Sequence, residues 1–275
     1  MLRYFFLHLI AVLASIHLPA QNYTIKEWAE KLENEPQHTE VITKINLSLN
    51  KNNLTAEERL SLQIVLVHKF IALQKWDTCI NYCQQQIYIA HQNNNVNAEA
   101  RFYLLLGNTY YNIIKKDKAL EYWLKAIEVA EKNKLDEVLE HSAHNTGVYY
   151  LEIHDYTTAE KYFLRSIEIG RKNKTLFTLG GIRHMRLLAT LYAQTKRYNQ
   201  AENLYKQVID TCRAIKDSDN LKEALSFYSE LMRSQKRFES ALKASREAIS
   251  IDSIRKNQDI TLTTLRFHAY NLYAS

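Results

Sequence analysis

The feature that most constrains this chain is a pattern of small and aromatic residues that recurs every 40 to 42 residues. A small residue precedes a mostly aromatic position by four, in the pairs Cys79 and Cys83, Ala119 and Trp123, Ala159 and Phe163, Ala201 and Tyr205, and Ala241 and Ser245. Upstream and in phase, a second set has a spacing of three, in the pairs Val67 and Phe70, Gly107 and Tyr110, Gly147 and Tyr150, Ala189 and Tyr192, and Ser229 and Met232. A repeat of this length predicts stacked helical hairpins that present a binding surface.

Composition supports a helical fold. The chain has 275 residues, and its 46% hydrophobic content excludes intrinsic disorder. It has only 5 glycines and 2 prolines, so it lacks the turn residues on which β-sandwiches and doubly wound folds depend. We therefore expect an almost entirely helical protein.

The recurring spacing can be explained by packing between the two helices of a hairpin. In residues 100–133, Gly107 and Tyr110 lie on a first predicted helix, and Ala119 and Trp123 lie on a second. The glycine and alanine allow the two helices to approach closely, and the aromatic side chains fill the space beyond them. We therefore expect these positions, including the cysteine pair of the first copy, to be buried.

This spacing resembles the tetratricopeptide repeat. Gly147, Tyr150, Ala159 and Phe163 match all four signature positions, and the 40-residue period exceeds the standard repeat of about 34 residues, which predicts longer helices. The repeats are similar to the long repeats of kinesin light chains and of bacterial peptide-responsive regulators. The resemblance implies an all-α, right-handed superhelical solenoid of antiparallel helix hairpins, without enzymatic activity.

The sequence divides into four predicted segments. They are a secretion signal at 1–20, an N-terminal helical cap at 21–58, about five repeats at 59–258, and a C-terminal segment at 259–275. The approximate repeats are 60–93, 100–133, 140–173, 182–215 and 222–255. The last segment reads either as a capping helix or as the first helix of an incomplete repeat. In the cap, Thr55 and Glu58 have the spacing of a capping box that opens the next helix.

The N-terminus predicts export. Arg3 is followed by an apolar run to Leu18 and then by Pro19 and Ala20, which has the order of a secretory signal. The run is short for a membrane span, so we expect a periplasmic or extracellular protein, with an uncleaved membrane anchor as the alternative.

The resemblance also assigns groove positions, because the first helix of each tetratricopeptide hairpin lines the concave side. The predicted peptide- or protein-binding residues are Arg101, Asn108, Tyr111, Asn112, His141, His144, Arg183, Arg186, Thr190, Glu230 and Arg233. Asn108 and Asn112 with Arg183 and Arg186 form the preferred site, because amide and guanidinium groups can hold a peptide backbone and a carboxylate.

Other classes of site are not predicted. His141, His144 and His184 are too loosely spaced for a structural metal, and no cofactor or catalytic motif is present. The formal charge of +6 is mild, and the repeats offer no stacking platform for nucleic acid. Basic turns at residues 115–118, 196–197 and 236–237 predict a ridge capable of weak contact with an anionic surface.

The sequence therefore predicts a non-enzymatic, exported scaffold that binds a protein or peptide partner in its groove. The alternative is the sensor module of a membrane-anchored signalling or transcriptional regulator whose C-terminal output part is absent.

Overall fold

A computed structural model describes residues 24–51 and 53–254, and this part of the chain contains twelve helices and no strand. The predicted secretion signal and the predicted C-terminal segment at 259–275 lie outside these residues. The helices are α1 (Ile25–Glu33), α2 (His38–Leu49), α3 (Ala56–Ala72), α4 (Trp76–Gln92), α5 (Val96–Asn112), α6 (Lys116–Asn133), α7 (Asp136–Glu152), α8 (Tyr156–Lys172), α9 (Leu179–Gln194), α10 (Tyr198–Ala214), α11 (Ser218–Ser234) and α12 (Phe238–Ile254).

Eight of these helices form four sequential pairs, which we number by their place in the repeat as hairpins 1, 3, 4 and 5: α3–α4, α7–α8, α9–α10 and α11–α12. In the chain, α5 and α6 follow hairpin 1 and precede hairpin 3. The chain divides into two compact units, one ending at Ala119 and the other beginning at Leu120, so the boundary falls within α6. The all-α repeat architecture expected from the sequence is confirmed. Within residues 24–51 and 53–254, no helix combines the length and apolar character needed to cross a membrane.

Short turns set the period of the array. Most helices from α3 onward have 17 residues and are joined by turns of two or three, which gives about 20 residues per helix and 40 per hairpin. The exception is the six-residue linker 173–178 between α8 and α9, which accounts for the 42-residue spacing between Ala159 and Ala201.

The turns contain left-handed residues that are not glycine. Nine residues have φ between 52° and 63°, and they are Gln74, Asn94, Ile114, Lys134, His154, Lys174, Lys196, Lys216 and Lys236. Each follows the last turn of a helix. In the first of these turns, the Gln74 N–H donates to Ile71 O at 2.9 Å and the Lys75 N–H donates to Phe70 O at 2.9 Å, which is a Schellman motif. Backbone hydrogen bonding therefore ends these helices without the usual glycine.

The N-terminal helices are anchored to α3. Thr55 and Glu58 form the expected capping box at its start, with the Glu58 N–H donating to Thr55 Oγ1 at 3.2 Å. Lys69 on α3 is buried, and its Nζ donates to the carbonyl oxygens of Glu33 at 2.6 Å and Glu35 at 3.0 Å. A lysine at a helix C-terminus satisfies carbonyls that the helix leaves unpaired. Lys69 therefore caps α1.

The motif residues form the core of each unit. Cys79 and Cys83 are fully buried free thiols, as expected. In the second unit Ala159, Phe163, Ala201 and Tyr205 are almost completely buried and belong to one apolar core. The close approach expected at glycine is present, because a Cβ at Gly147 would lie 2.7 Å from two atoms of the Phe163 ring.

Hairpin 5 replaces the aromatic contact with a polar one. Ser229 and Ser245 occupy the small and aromatic positions there, and their hydroxyl oxygens lie 2.6 Å apart. The Ser229 hydroxyl also lies within hydrogen-bonding distance, 2.9 Å, of the Ala241 carbonyl oxygen. The degenerate copy of the motif thus keeps the helix spacing through buried hydrogen bonds.

Candidate functional site

Arg186 connects two first helices, α9 and α11. Its Nη2 lies 2.9 Å from Glu223 Oε2, and its guanidinium carbon lies 5.3 Å from the centroid of the Phe227 ring. Arg186 is only 9% exposed, and its Nε has no hydrogen-bond partner within the described part of the chain. An ion pair and a cation–π contact thus fix a nearly buried arginine at this junction.

Phe227 is held in place from within the core. Its ring is parallel to that of Tyr205, with an angle of 2° and centroids 6.4 Å apart, and the Tyr205 hydroxyl lies 2.9 Å from Thr190 Oγ1. Burial raises the pKa of Tyr205 to about 12, so its hydroxyl stays protonated at neutral pH. Phe227 nevertheless remains 40% exposed. We call Arg186, Thr190, Tyr205, Glu223 and Phe227 the Phe227 patch.

The predicted groove residues lie in both units. Arg101, Asn108, Tyr111 and Asn112 are on α5 in the first unit, where Asn112 is exposed, the other three are half-buried, and Arg101 Nε donates to Asn97 Oδ1 at 3.2 Å. The remaining seven are on α7, α9 and α11 in the second unit. The preferred combination of two asparagines and two arginines is thus divided between the units, and it stays a prediction.

In the second unit the predicted residues differ in their availability. His141 and Arg183 are exposed, whereas Thr190 donates to the Arg186 carbonyl at 3.1 Å as well as contacting Tyr205. Glu230 and Arg233 are exposed and pair with each other along α11, with Arg233 Nε 2.9 Å from Glu230 Oε2. Phe227 was not among the predicted residues, because an aromatic at helical spacing reads as a core position.

His144, one of the predicted groove residues, is nearly buried. His144 is 6% exposed, and its ring stacks on that of His184 with the centroids 4.0 Å apart. The cause is the packing of α9, which brings His184, itself 2% exposed, against α7. Arg186 is likewise nearly buried, so Arg183 is the accessible arginine of α9.

A buried polar network surrounds these two histidines. His184 Nδ1 lies 2.8 Å from Ser166 Oγ, and the Thr175 hydroxyl donates to Glu140 Oε2 at 2.9 Å. Glu140 is 3% exposed. Its Oε1 lies 3.6 Å from His184 Nδ1, which is beyond hydrogen-bonding distance. We call Glu140, His144, Ser166, Thr175 and His184 the histidine cluster.

Both histidines of the cluster are held neutral. Burial, together with repulsion by His141 and Arg183, lowers the pKa of His184 to about 3. Burial also lowers the pKa of His144 well below its usual value, with smaller contributions from neighbouring histidines and arginines. Across the described residues, no group of three or more His, Cys, Asp or Glu side chains has an arrangement that fits a metal ion.

Ser166, His184 and Glu140 have the residue types of a hydrolase triad but not its geometry. In a triad the serine and the carboxylate contact opposite nitrogens of the histidine, whereas here both approach Nδ1. Ser166 is also fully buried, so a substrate cannot reach its hydroxyl. The arrangement therefore serves packing between α7, α8 and α9.

Part of the predicted basic ridge is neutralised by ion pairs. Arg197 donates to both carboxylate oxygens of Glu160 at 2.9 and 2.8 Å, and Arg237 Nη1 lies 2.5 Å from Glu202 Oε2. The first pair joins hairpin 3 to hairpin 4, and the second joins hairpin 4 to hairpin 5. Both arginines directly precede the first residue of a second helix, so the two pairs are equivalent. The two arginines are therefore engaged within the repeat array, which weakens the case for contact with an anionic surface.

Family models for the tetratricopeptide repeat match residues 100–133 and 182–253, on which the helices have the expected hairpin order. These two segments of the chain are tetratricopeptide repeats. Among curated proteins no relative matches this repeat protein. The turn geometry and small-residue contacts described above are therefore features of a long form of this repeat.

Solved structures with the same fold include several repeat proteins of low sequence identity. BtubC from P. vanneervenii is 12% identical with a TM-score of 0.70, and the match covers 87% of this chain and 95% of that one. The apo form of RapI is 14% identical with a TM-score of 0.62, covering 90% and 94%. A Rap protein solved in complex with Competence and Sporulation Factor is 14% identical with a TM-score of 0.60, covering 90% and 72%.

Proposed function

We propose that this repeat protein is a scaffold that binds a protein or peptide partner through the first helices of its second unit. The observation that carries the proposal is Phe227, a 40% exposed aromatic ring positioned by Arg186 and Tyr205. Rigid aromatic and arginine side chains supply much of the binding energy at protein interfaces, because they lose little freedom when a partner binds. The Rap protein solved with Competence and Sporulation Factor supports this class of function.

The charges around Phe227 indicate what the partner offers. Arg183 is exposed three positions before Arg186 on α9, so both arginines lie on one side of that helix. An apolar side chain of the partner packs on Phe227, and a carboxylate or carbonyl oxygen accepts hydrogen bonds from Arg183. Because Glu223 already neutralises Arg186, the bound segment needs no more than one or two acidic groups.

Selection from a random peptide library on immobilised protein tests this site. Peptides enriched by the wild-type protein are expected to share an apolar residue and to lose most of their binding to the Phe227→Ala and Arg183→Ala variants. Truncating one central aromatic or arginine contact costs about 2 kcal/mol or more, which is at least a 30-fold loss of affinity.

A matched control removes an exposed aromatic ring elsewhere. Phe238 is 51% exposed at the start of α12, so Phe238→Ala makes the same chemical change outside the patch. Peptides that bind Phe227→Ala as tightly as the wild type, or that lose equal affinity for Phe238→Ala, would contradict the assignment.

We also propose that the scaffold acts outside the cytoplasm, on the basis of the N-terminal segment at 1–20. Cell fractionation with sequencing of the mature N-terminus tests this: a periplasmic or secreted form starting near Gln21 supports it, and a cytoplasmic protein that retains Met1 contradicts it.

The sensor alternative is favoured by one structural relative. A signal-transduction ATPase from Pyrococcus horikoshii with a tetratricopeptide repeat sensor is 16% identical with a TM-score of 0.68, and the match covers 90% of this chain and 41% of that one. Reading the coding sequence downstream of Ser275 separates the hypotheses, because an in-frame output domain supports the sensor.

A further inference from the structure

The histidine cluster joins three helices through two buried, stacked histidine rings. The rings of His144 and His184 stack with centroids 4.0 Å apart, and they are 6% and 2% exposed. From α8 the Phe163 ring packs against His144 and the Ser166 hydroxyl contacts His184. The titratable or charged groups that face them are Glu140 and His141 from α7 and Arg183 and Arg186 from α9.

Of the charged groups named above only Glu140 is acidic, and its nearer oxygen lies beyond hydrogen-bonding distance of His184. Its carboxylate is 3.6 Å from His184 Nδ1 and already accepts the hydroxyl of Thr175. His184 Nδ1 is itself occupied by Ser166 at 2.8 Å. The Nδ1 of His144 has no hydrogen-bond partner among the residues that the structure describes. A proton on either ring would therefore be buried beside two arginines and another histidine.

Opening of this junction would change proton binding in a defined direction. In the closed form the pKa of His184 is about 3, whereas in water a histidine titrates near 6.5. The open form therefore binds more protons than the closed form between those values. Because the population of the form that binds more protons rises as pH falls, acid favours opening below about pH 6.5.

We infer that the histidine cluster is an acid-sensitive latch between hairpins 3 and 4. While His144 and His184 are neutral they hold α9 against α7 and α8, and protonation of either ring releases α9. The linker 173–178, which is longer than every other turn from α3 to α12, provides the chain length for this movement.

The latch also bears on partner binding, a step that rests on the proposed function. His184 and Arg186 are two residues apart on α9, and Arg186 contacts Glu223 and Phe227 of α11. Release of α9 therefore disperses the Phe227 patch, so the partner binds the closed form and leaves at acid pH.

Hydrogen exchange of the partner-free protein tests the latch. We compare protection factors of the α9 amides at pH 8.0 and pH 5.0. From the values above, His184 alone raises the opening constant about 30-fold over this range. The His184→Asn variant keeps an amide near the Nδ1 position for Ser166 but cannot titrate, so its response should be smaller by that factor.

His154→Asn is the matched control. His154 is exposed in the turn after α7, and asparagine tolerates its left-handed backbone, so this variant should keep the full response. Equal acid responses in the wild type and His184→Asn would overturn the latch.

A measurement on the wild type guards against a variant that folds poorly. In ring-proton NMR the His144 and His184 signals of the closed form should stay unprotonated down to pH 5. Titration of both signals near pH 6.5, the ordinary value for a histidine in water, would overturn the inference. The two proposals fail separately: exchange needs no partner, and peptide selection at pH 8.0 does not depend on the latch.

Discussion

Replacing Gly147 with alanine tests whether close helix approach in hairpin 3 depends on the absence of a side chain. The added Cβ would lie 2.7 Å from Cδ1 and Cε1 of Phe163 and 3.2 Å from its Cγ. Carbon atoms normally meet at about 3.5 Å or more, so the ring or the helix must move by roughly 0.8 Å. Phe163 is fully buried and packs against His144, which leaves little room for that movement.

The expected change in stability is a difference between two effects. Overpacking a filled core costs about 1 to 3 kcal/mol, whereas alanine favours a helix over glycine by about 1 kcal/mol. Two contacts at 2.7 Å with a buried ring place the overpacking cost in the upper part of that range, about 2 to 3 kcal/mol, so we expect Gly147→Ala to lower the free energy of unfolding by about 1 to 2 kcal/mol. With a urea dependence of about 3 kcal/mol per molar, the unfolding midpoint followed by circular dichroism falls by roughly 0.5 M.

Gly180→Ala provides the control, because the same substitution there meets ordinary contacts. Its Cβ would lie 3.8 Å from His141 Cε1 and 3.9 Å from Thr178 Oγ1. We therefore expect the free energy of unfolding to stay the same or to rise by at most about 0.5 kcal/mol. Adding Phe163→Leu to Gly147→Ala should recover part of the loss in a double-mutant cycle. A Gly147→Ala protein as stable as the wild type, or equal shifts in both glycine variants, would refute the reasoning.

Two further predictions concern the first unit. Lys69→Met removes both hydrogen bonds to the Glu33 and Glu35 carbonyls. We therefore expect the opening free energy of α1, measured by hydrogen exchange, to fall by about 1.5 to 3 kcal/mol. Unchanged protection would show that α1 does not need this cap. Ile114 is a β-branched residue at φ 63°, which strains the backbone, and its side chain is 79% exposed, so little packing is lost when it is removed. We therefore expect Ile114→Gly to raise the free energy of unfolding in urea by about 0.5 to 1 kcal/mol. A loss of stability would contradict this expectation.

The repeat could be predicted because its small and aromatic residues are directly packed. Ala159 with Phe163 and Ala201 with Tyr205 are buried where the spacing placed them. The turns could not be predicted in the same way. Ile114 and the turn lysines take a left-handed conformation that their residue types disfavour, and the Schellman hydrogen bonds that end α3 to α11 account for it.

The candidate site was predicted less well, because burial of its side chains depends on neighbouring helices. Positions along a first helix show which side chains share a face, but not how deeply a neighbouring helix covers them. Arg183 and Arg186 are three apart, yet one is exposed and the other is nearly buried under α11. Phe227 was missed because periodicity alone cannot distinguish a core aromatic from one that is partly open.

The irregular spacing and the histidine cluster are two aspects of one local structure. The linker 173–178 contains Thr175, whose hydroxyl donates to the buried Glu140. In the same linker, Leu176 lies so close to α9 that a Cβ at Gly181 would be 2.3 Å from its carbonyl oxygen. Leu176 lies beyond the third residue of the linker, so a turn of three residues would not provide its contact with Gly181. The linker therefore supplies a hydrogen bond to Glu140 and packs against the start of α9, the helix that carries His184. The break in the 40-residue period thus indicates the place where hairpin 4 is joined to hairpin 3 by polar groups, and it is there that the array should respond to acid.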